Sequence, residues 1–412
     1  MDMKRLISLY GSEEAAQKQL ARFENLKAEF ARRFGSSENT ELISAPGRTE
    51  IVGNHTDHNH GCVLAASVDL DTVAVVRKSG NSVVTLYSEG YDTPFTVDIS
   101  DLSVHPEEKE TTFALIRGVA AFLQEAGYEI GGFDACVTSS VLRGSGLSSS
   151  AAFEVLLVSI NDALFNGWTV DPQLNAKISQ KAENRYFLKP CGLMDQMASA
   201  VGGLVFIDFE NGGARVEALK YDFSEKDYDV CVVSAGGDHG NLTAEYAAVP
   251  AEMKQVAALL GADVLRSVTD KIESEIPNLK GKVSDRAILR ALHFRDENER
   301  VNEMAKALKA DDLHAFLNGV IESGESSWKL LQNLSVPGRD NQEMPLALEM
   351  SRRMLKNAGG AWRIHGGGFA GTILAFVPKA KMAEYIKTMN AVFGEGAVKP
   401  LYVRPEGAVW LK

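Results

Sequence analysis

Four short segments carry residue types that could do chemistry. Residues 45–61, APGRTEIVGNHTDHNHG, place one arginine, one aspartate and three histidines on short strands and turns. Such a polar cluster can hydrogen-bond hydroxyl groups. His55, His58 and His60 also raise the question of a metal site, but their spacing fits no common zinc pattern. Residues 144–154, GSGLSSSAAFE, set glycines and three serines at the start of a predicted helix. Glycine lets backbone approach a ligand closely, and the free N–H groups and positive dipole end of a helix N-terminus bind phosphate. Serine hydroxyls add donors and can ligate Mg2+. The same residues would also make a plain serine-rich helix cap. The spacing is not that of a G-x-x-x-x-G-K-[ST] loop. Nor is it a dinucleotide fingerprint, because after Gly144 and Gly146 the third glycine position holds Ser149. Residues 191–196, CGLMDQ, put Asp195 in an apolar stretch, as a functional carboxylate or a helix cap. Residues 365–371, HGGGFAG, permit positive φ and close backbone approach, and read equally as a flexible turn.

Elements must position these segments. Leu20, Phe23, Leu26 and Phe30 recur at spacings of three and four, which predicts an amphipathic helix over 13–34. ELISAP and CVLAASVDLDTVAVV read as strands with GNHTDHNHG between them, so that polar insert sits at a sheet edge within reach of a ligand. A hairpin over 82–98, a helix over 111–126 and a strand near 132–140 lead to the Gly/Ser turn and a long apolar helix. A helical pattern over 172–188 precedes the turn and short helix that hold Asp195. Strands near 204–208, 214–219 and 228–235 follow. The second half reads as helices near 241–260, 285–308, 311–333 and 342–358, then the glycine turn and a strand, a helix from about 379 and a strand near 399–403. This mixture without regular βαβ alternation favours α+β over a doubly wound parallel sheet. A chain of 412 residues suits two domains, and the Asn211-Gly212-Gly213 turn signal puts the boundary near 212.

The bulk numbers exclude several classes. Hydrophobic residues make up 45% and charged residues 24%, as in a folded globular protein. A net charge of −12 argues against nucleic acid or anionic lipid as partner but not against a nucleotide. Cys62, Cys136, Cys191 and Cys231 are scattered, with no C-x-x-C pair, and read as reduced thiols. No apolar h-region opens the chain and no window is long and apolar enough for a membrane span, so a cytoplasmic, soluble protein is expected.

Taken together and in order, the four segments resemble the GHMP kinase superfamily and specifically the galactokinases. GRTEIVGNHTDHNHG is similar to the galactokinase signature, GSGLSSSAAFEV to the phosphate-binding motif and HGGGFAG to the C-terminal motif. KPCGLMDQMASAVGG and GVAAFLQEAG extend the resemblance over most of the chain. It implies an α+β fold with a ribosomal-S5-domain-2-like N-terminal domain (1–212), a ferredoxin-like C-terminal domain (213–412) and a site in the cleft between them. It implies ATP-dependent phosphorylation of the C1 hydroxyl of galactose or a galactose-like sugar, with ATP and Mg2+ as cofactors, in a monomer without nucleic-acid or membrane partners.

The resemblance also implies roles. Asp195 matches the catalytic aspartate and Arg48 its arginine partner. Ser150 and Glu183 match the magnesium ligands. Gly144, Ser145, Gly146, Leu147, Ser148, Ser149 and Ser150 match the ATP-binding loop. Asn54, His55, Asp57, Gly192 and Tyr246 match the sugar contacts. One departure stands out: most galactokinases read G-E-H-T-D-Y where this chain reads Gly53-Asn54-His55-Thr56-Asp57-His58. An amide donates and accepts where a carboxylate only accepts, so a modified sugar is the alternative substrate: one with an altered distal group, such as the C6 carboxylate of galacturonate, or N-acetylgalactosamine. A catalytically silent sugar and ATP sensor is the alternative from another class. Sensors of that kind have a damaged phosphate loop, whereas GLSSSAA is intact here and both Arg48 and Asp195 are present.

Overall fold

The computed structural model describes residues 2–141, 146–236, 242–336, 338, 340–369 and 371–412. Gly144 and Ser145 lie outside the described residues. In chain order the strands are β1 (Glu41–Val52), β2 (Cys62–Lys78), β3 (Val83–Ser88), β4 (Phe95–Asp98), β5 (Phe133–Ser139), β6 (Leu204–Asp208), β7 (Arg215–Leu219), β8 (Tyr228–Gly236), β9 (Ala361–Ile364), β10 (Gly371–Pro378), β11 (Val398–Leu401) and β12 (Val409–Trp410). One sheet runs β12-β1-β2-β5-β3-β4, with β6 on β2 and β7 on β6; the other runs β11-β8-β10-β9.

The first sheet is centred on β1 and β2, whose near-continuous burial follows from elements packed on both faces. Two helices open the chain, α1 (Met3–Tyr10) and α2 (Glu13–Phe34). The second follows its sequence signals closely. Ser12 caps it through the Ala15 N–H, Glu13 and Glu14 sit in its first turn, Arg32 and Arg33 in its last, and Gly35 ends it at φ 82°. Phe23, Leu26 and Phe30 bury against Val73 and Val75 of β2.

Helices α3 (Thr112–Glu125), α4 (Ser149–Asn161), α5 (Pro172–Ala182) and α6 (Met194–Val201) cover the sheet through one apolar cluster that includes Val119, Val155, Ile178 and Met197. The helix expected over 172–188 widens into a π turn over Glu183–Phe187, a feature frequent at functional sites. Further on lie α7 (Thr243–Leu259), the short α8 (Ile276–Leu279), α9 (Asp285–Lys309), α10 (Leu313–Ser326), α11 (Glu343–Leu355) and α12 (Lys379–Phe393). The helix expected over 311–333 likewise ends in a π turn, Ser327–Leu331.

The chain does not stay in the second sheet once it has entered it. After β11 it returns to the first, where β12 pairs with β1 at Ile43–Trp410. Arg404, fully buried, bonds Asp71 of β2 at 3.2 Å and Ser44 of β1 at 2.8 Å. A two-residue strand and a single arginine carry no periodicity, so this return is not visible in the sequence.

Candidate active site

The site begins at a break in β1. Register with β2 shifts between Pro46 and Arg48, a bulge that re-aims the strand's side chains. Gly47 at this bulge has no room for a side chain, since a Cβ there would lie 2.8 Å from the Leu147 carbonyl oxygen. Its absence lets the segment before α4 pack directly on β1, where the Arg48 N–H donates to Leu147 O at 3.0 Å. On the other side, Ser199 of α6 donates to Pro46 O at 2.6 Å and docks that helix on the bulge. Asp195 lies one turn earlier on the same helix face and so meets Arg48.

The two side chains form a fork-to-fork pair. Arg48 Nε and Nη2 donate to Asp195 Oδ1 and Oδ2, each at 2.6 Å. Arg48 Nη1 donates to the Gly146 carbonyl, and Ser148 Oγ donates to Asp195 Oδ2. Burial alone would raise the Asp195 pKa; the Arg48 charge and the bonds from Arg48 and Ser148 outweigh it and hold the carboxyl below its ordinary value. Asp195 is therefore ionised at neutral pH. Ser148, at φ 60°, stands just before α4 and ties the glycine-serine segment to this carboxylate.

Asp57 joins from the polar insert. Its Oδ2 sits 1.9 Å from where a Cβ on Gly192 would be, so the missing side chain at 192 makes space for the carboxylate three residues before Asp195. His365 closes the other flank, with Nε2 3.0 Å from Thr49 Oγ1 and Nδ1 2.9 Å from Thr372 Oγ1. Burial, then the neighbouring Arg48 charge, depress its pKa to about 3 and keep it neutral.

Ser149 and Ser150 begin α4 at one end of a cavity of about 990 Å³ lined by Phe95, Phe113, Val137 and Phe153. The Phe95 and Phe113 rings meet edge-to-face at 5.3 Å. This aromatic cavity draws on residues 80–117, where the sequence shows no sharp motif. Leu147 takes a different part from its neighbours: its side chain is in the core and only its backbone reaches β1.

Glu183 emerges from its π turn into a buried polar group the sequence did not flag. Gln196 Nε2 donates to Glu183 at 2.9 Å and to Glu154 at 3.0 Å. Burial raises both carboxyls, Glu154 further because Glu183 is its neighbour. Glu154 Oε1 and Gln196 Oε1 are buried without a hydrogen-bond partner. A glutamate inside the apolar run AAFEVLLVSI was the available signal for Glu154. Among the described residues no cluster of three or more His, Cys, Asp or Glu is arranged to hold a metal ion unaided. Ser150 and Glu183 offer hard oxygen donors only, which fits Mg2+ taking its remaining ligands from phosphate and water.

Three residues expected at the sugar also make hydrogen bonds within the protein. Asn54 is fully buried; its Nδ2 donates to Glu50 at 3.0 Å and to Gly366 O at 2.6 Å, and its Oδ1 accepts from Asn333 at 2.7 Å. Both amide hydrogens are thus used within the protein. His55 Nε2 bonds Gly367 O at 2.9 Å; since a carbonyl only accepts, Nε2 carries the hydrogen. Burial lowers the His55 pKa to about 4, so the ring is neutral and Nδ1 is an acceptor. Tyr246 donates its hydroxyl to Gly368 O at 2.8 Å.

The chain is similar to known proteins. A family model for the galactokinase galactose-binding signature matches residues 28–78, and one for the GHMP kinases N terminal domain matches 114–203. The galactokinase of Streptomyces coelicolor is 31% identical over 365 residues, 86% of this chain and 89% of that protein. The galactokinase of Pyrococcus furiosus is 30% identical over 344 residues, 82% of this chain and 89% of its own length. The crystal structure of Lactococcus lactis galactokinase complexed with galactose aligns with a TM-score of 0.81 and 25% identity, over 94% of this chain and 100% of that one. Methanococcus jannaschii mevalonate kinase aligns at TM-score 0.63 and 15% identity, over 89% and 99%, a likeness of fold. The α+β fold is that of the GHMP kinases.

Proposed function

The chain belongs to the galactokinase family, and we propose that its Arg48–Asp195 pair carries transfer of the γ-phosphoryl group of ATP to the C1 hydroxyl of galactose. The protein is a sugar kinase. The observation that carries the assignment of chemistry is that fork-to-fork pair, tied by Ser148 and Gly146 to the glycine-serine segment and flanked by Asp57.

Phosphoryl transfer asks for positioning and charge neutralisation rather than covalent chemistry. Asp195, ionised and rigidly held, accepts a hydrogen bond from the attacking hydroxyl and takes its proton as the bond to phosphorus forms. A carboxyl held below its ordinary pKa is a weak base, so orientation is the larger share of its work. Arg48 keeps that carboxylate charged and adds positive potential where the phosphoryl group passes. Asp57 over Gly192 and the acceptor Nδ1 of His55 bind sugar hydroxyls. The aromatic cavity takes the adenine, with Ser149 and Ser150 toward the phosphates. Mg2+ would be held by Ser150 and Glu183 and would supply charge neutralisation on the phosphate oxygens.

The altered-sugar alternative rested on Asn54 facing the substrate. With both its amide hydrogens bound to Glu50 and Gly366, that support falls away and galactose is the preferred substrate. We read the protein as two domains divided near residue 212, with the C-terminal strand returned to the first, acting as a monomer in the cytoplasm. An ATP-consumption assay with Mg2+ across galactose, N-acetylgalactosamine, galacturonate, arabinose and glucose tests the substrate. Galactose should lead the panel; a lead by galacturonate or N-acetylgalactosamine would restore the alternative.

A further inference from the structure

The three consecutive glycines Gly366–Gly368 are held by their carbonyls. Asn54 Nδ2 binds Gly366 O at 2.6 Å; Asn333 Nδ2 and His55 Nε2 bind Gly367 O at 3.1 and 2.9 Å; Tyr246 binds Gly368 O at 2.8 Å. Asn333 is fully buried and grips the turn from its backbone too, since its carbonyl accepts the Phe369 N–H at 2.5 Å. A Cβ on Gly368 would lie 2.2 Å from that same carbonyl, and Gly366 and Gly368 have φ of 69° and 88°. The turn therefore needs both glycine and this partner.

We propose that Asn54 and Asn333 are positioning residues that clamp the Gly366–Gly368 turn to β1, and that Asn54 makes no contact with the sugar. Asn54 is itself held at every polar group. Its N–H donates to Glu297 at 3.3 Å, its carbonyl accepts from His293 at 3.0 Å, and its side chain bridges Glu50, Gly366 and Asn333. Glu50 is in turn bound by buried Arg363 at 3.0 Å. A glutamate at position 54 would set its carboxylate against that of Glu50, two buried like charges at close range. The amide is the group that this surrounding accommodates.

The turn matters to the reaction through its neighbour His365. A Cβ on Gly146 would lie 2.8 Å from both His365 Nδ1 and Thr372 Oγ1, so the two sides of the turn pack directly on the glycine whose carbonyl Arg48 holds. A slack turn would loosen Gly146, and with it Arg48 and Asp195. Misplacement of about 1 Å in a reacting centre costs on the order of 100-fold in rate.

The kinetic part of the test rests on the sugar-kinase reading; hydrogen exchange does not, and separates the two. Asn333→Ala should lower kcat roughly 10–100-fold, leave KM for galactose within about twofold, and speed amide exchange through residues 365–369. Asn54→Ala should do the same without changing the kcat/KM ratio between galactose and 6-deoxygalactose. If Asn333→Ala does not fold, Asn333→Ser, which keeps one donor, is read the same way. Wild-type kcat and wild-type exchange in a folded Asn333 variant would overturn the clamp. So would an Asn54→Ala protein with unchanged exchange and a shifted galactose to 6-deoxygalactose ratio.

Discussion

Arg48 and Asp195 are 147 residues apart in the chain and meet through two 2.6 Å hydrogen bonds. The contact exists because two unrelated local features converge on Pro46: the bulge that frees its carbonyl and the Ser199 hydroxyl that takes it. Every residue proposed to act on the phosphoryl group or the attacking hydroxyl is placed relative to this pair.

Replacing Arg48 by lysine keeps the charge and loses the fork. Three separate Arg48 nitrogens reach the two Asp195 oxygens and the Gly146 carbonyl, and the one nitrogen of a lysine cannot reproduce that planar fork. Arg48→Lys should lower kcat by at least about tenfold with the far-ultraviolet circular dichroism unchanged. A folded variant with wild-type kcat would show that the bidentate geometry is dispensable.

Gly192→Ala puts a methyl group 1.9 Å from Asp57 Oδ2, so that carboxylate must move. KM for galactose should rise about tenfold or more, while KM for ATP stays near its wild-type value. Steady-state kinetics in each substrate separates these; an increase confined to ATP would place Asp57 on the wrong side of the site.

Glu183→Gln removes the charge of one proposed magnesium ligand. The Mg2+ concentration for half-maximal activity should rise roughly 10–100-fold, and direct titration of Mg2+ with an ATP analogue present should show the same shift. An unchanged Mg2+ requirement would assign Glu183 to structure alone.

His365 gives stability a pH dependence whose sign can be worked out. Its pKa is near the usual 6.5 unfolded and about 3 folded, with burial as the main cause. Between those values the unfolded chain binds the extra proton, so the contribution is present above pH 6.5 and is lost as pH falls toward 3. The melting temperature of wild type should therefore drop more steeply between pH 6.5 and 5 than that of His365→Gln. Parallel curves would mean that His365 is not held neutral.

Much of this was legible in the sequence. The capped helix over 13–34, the order of the four motif segments and the pairing of Arg48 with Asp195 all follow from local patterns or from the family resemblance. What the sequence could not show is which way a polar side chain turns. Asn54, His55 and Tyr246 match sugar contacts through the family resemblance, and each also bonds a carbonyl of a glycine turn more than 100 residues away, which no local pattern foretells. Glu154 was hidden for the opposite reason: it lies in an apolar run, and only the tertiary fold brings Gln196 and Glu183 to it.

The central claim is that Asp195, aligned by Arg48, directs a sugar hydroxyl at the γ-phosphorus of ATP. Phosphorus NMR of galactose, ATP and Mg2+ with wild type and with Asp195→Asn, paired with calorimetric titration of galactose into both, tests it most directly. The account predicts galactose 1-phosphate from wild type, a rate at least about 10²–10⁴ lower from the variant, and galactose binding retained by both. A folded Asp195→Asn enzyme that forms galactose 1-phosphate at the wild-type rate would contradict it.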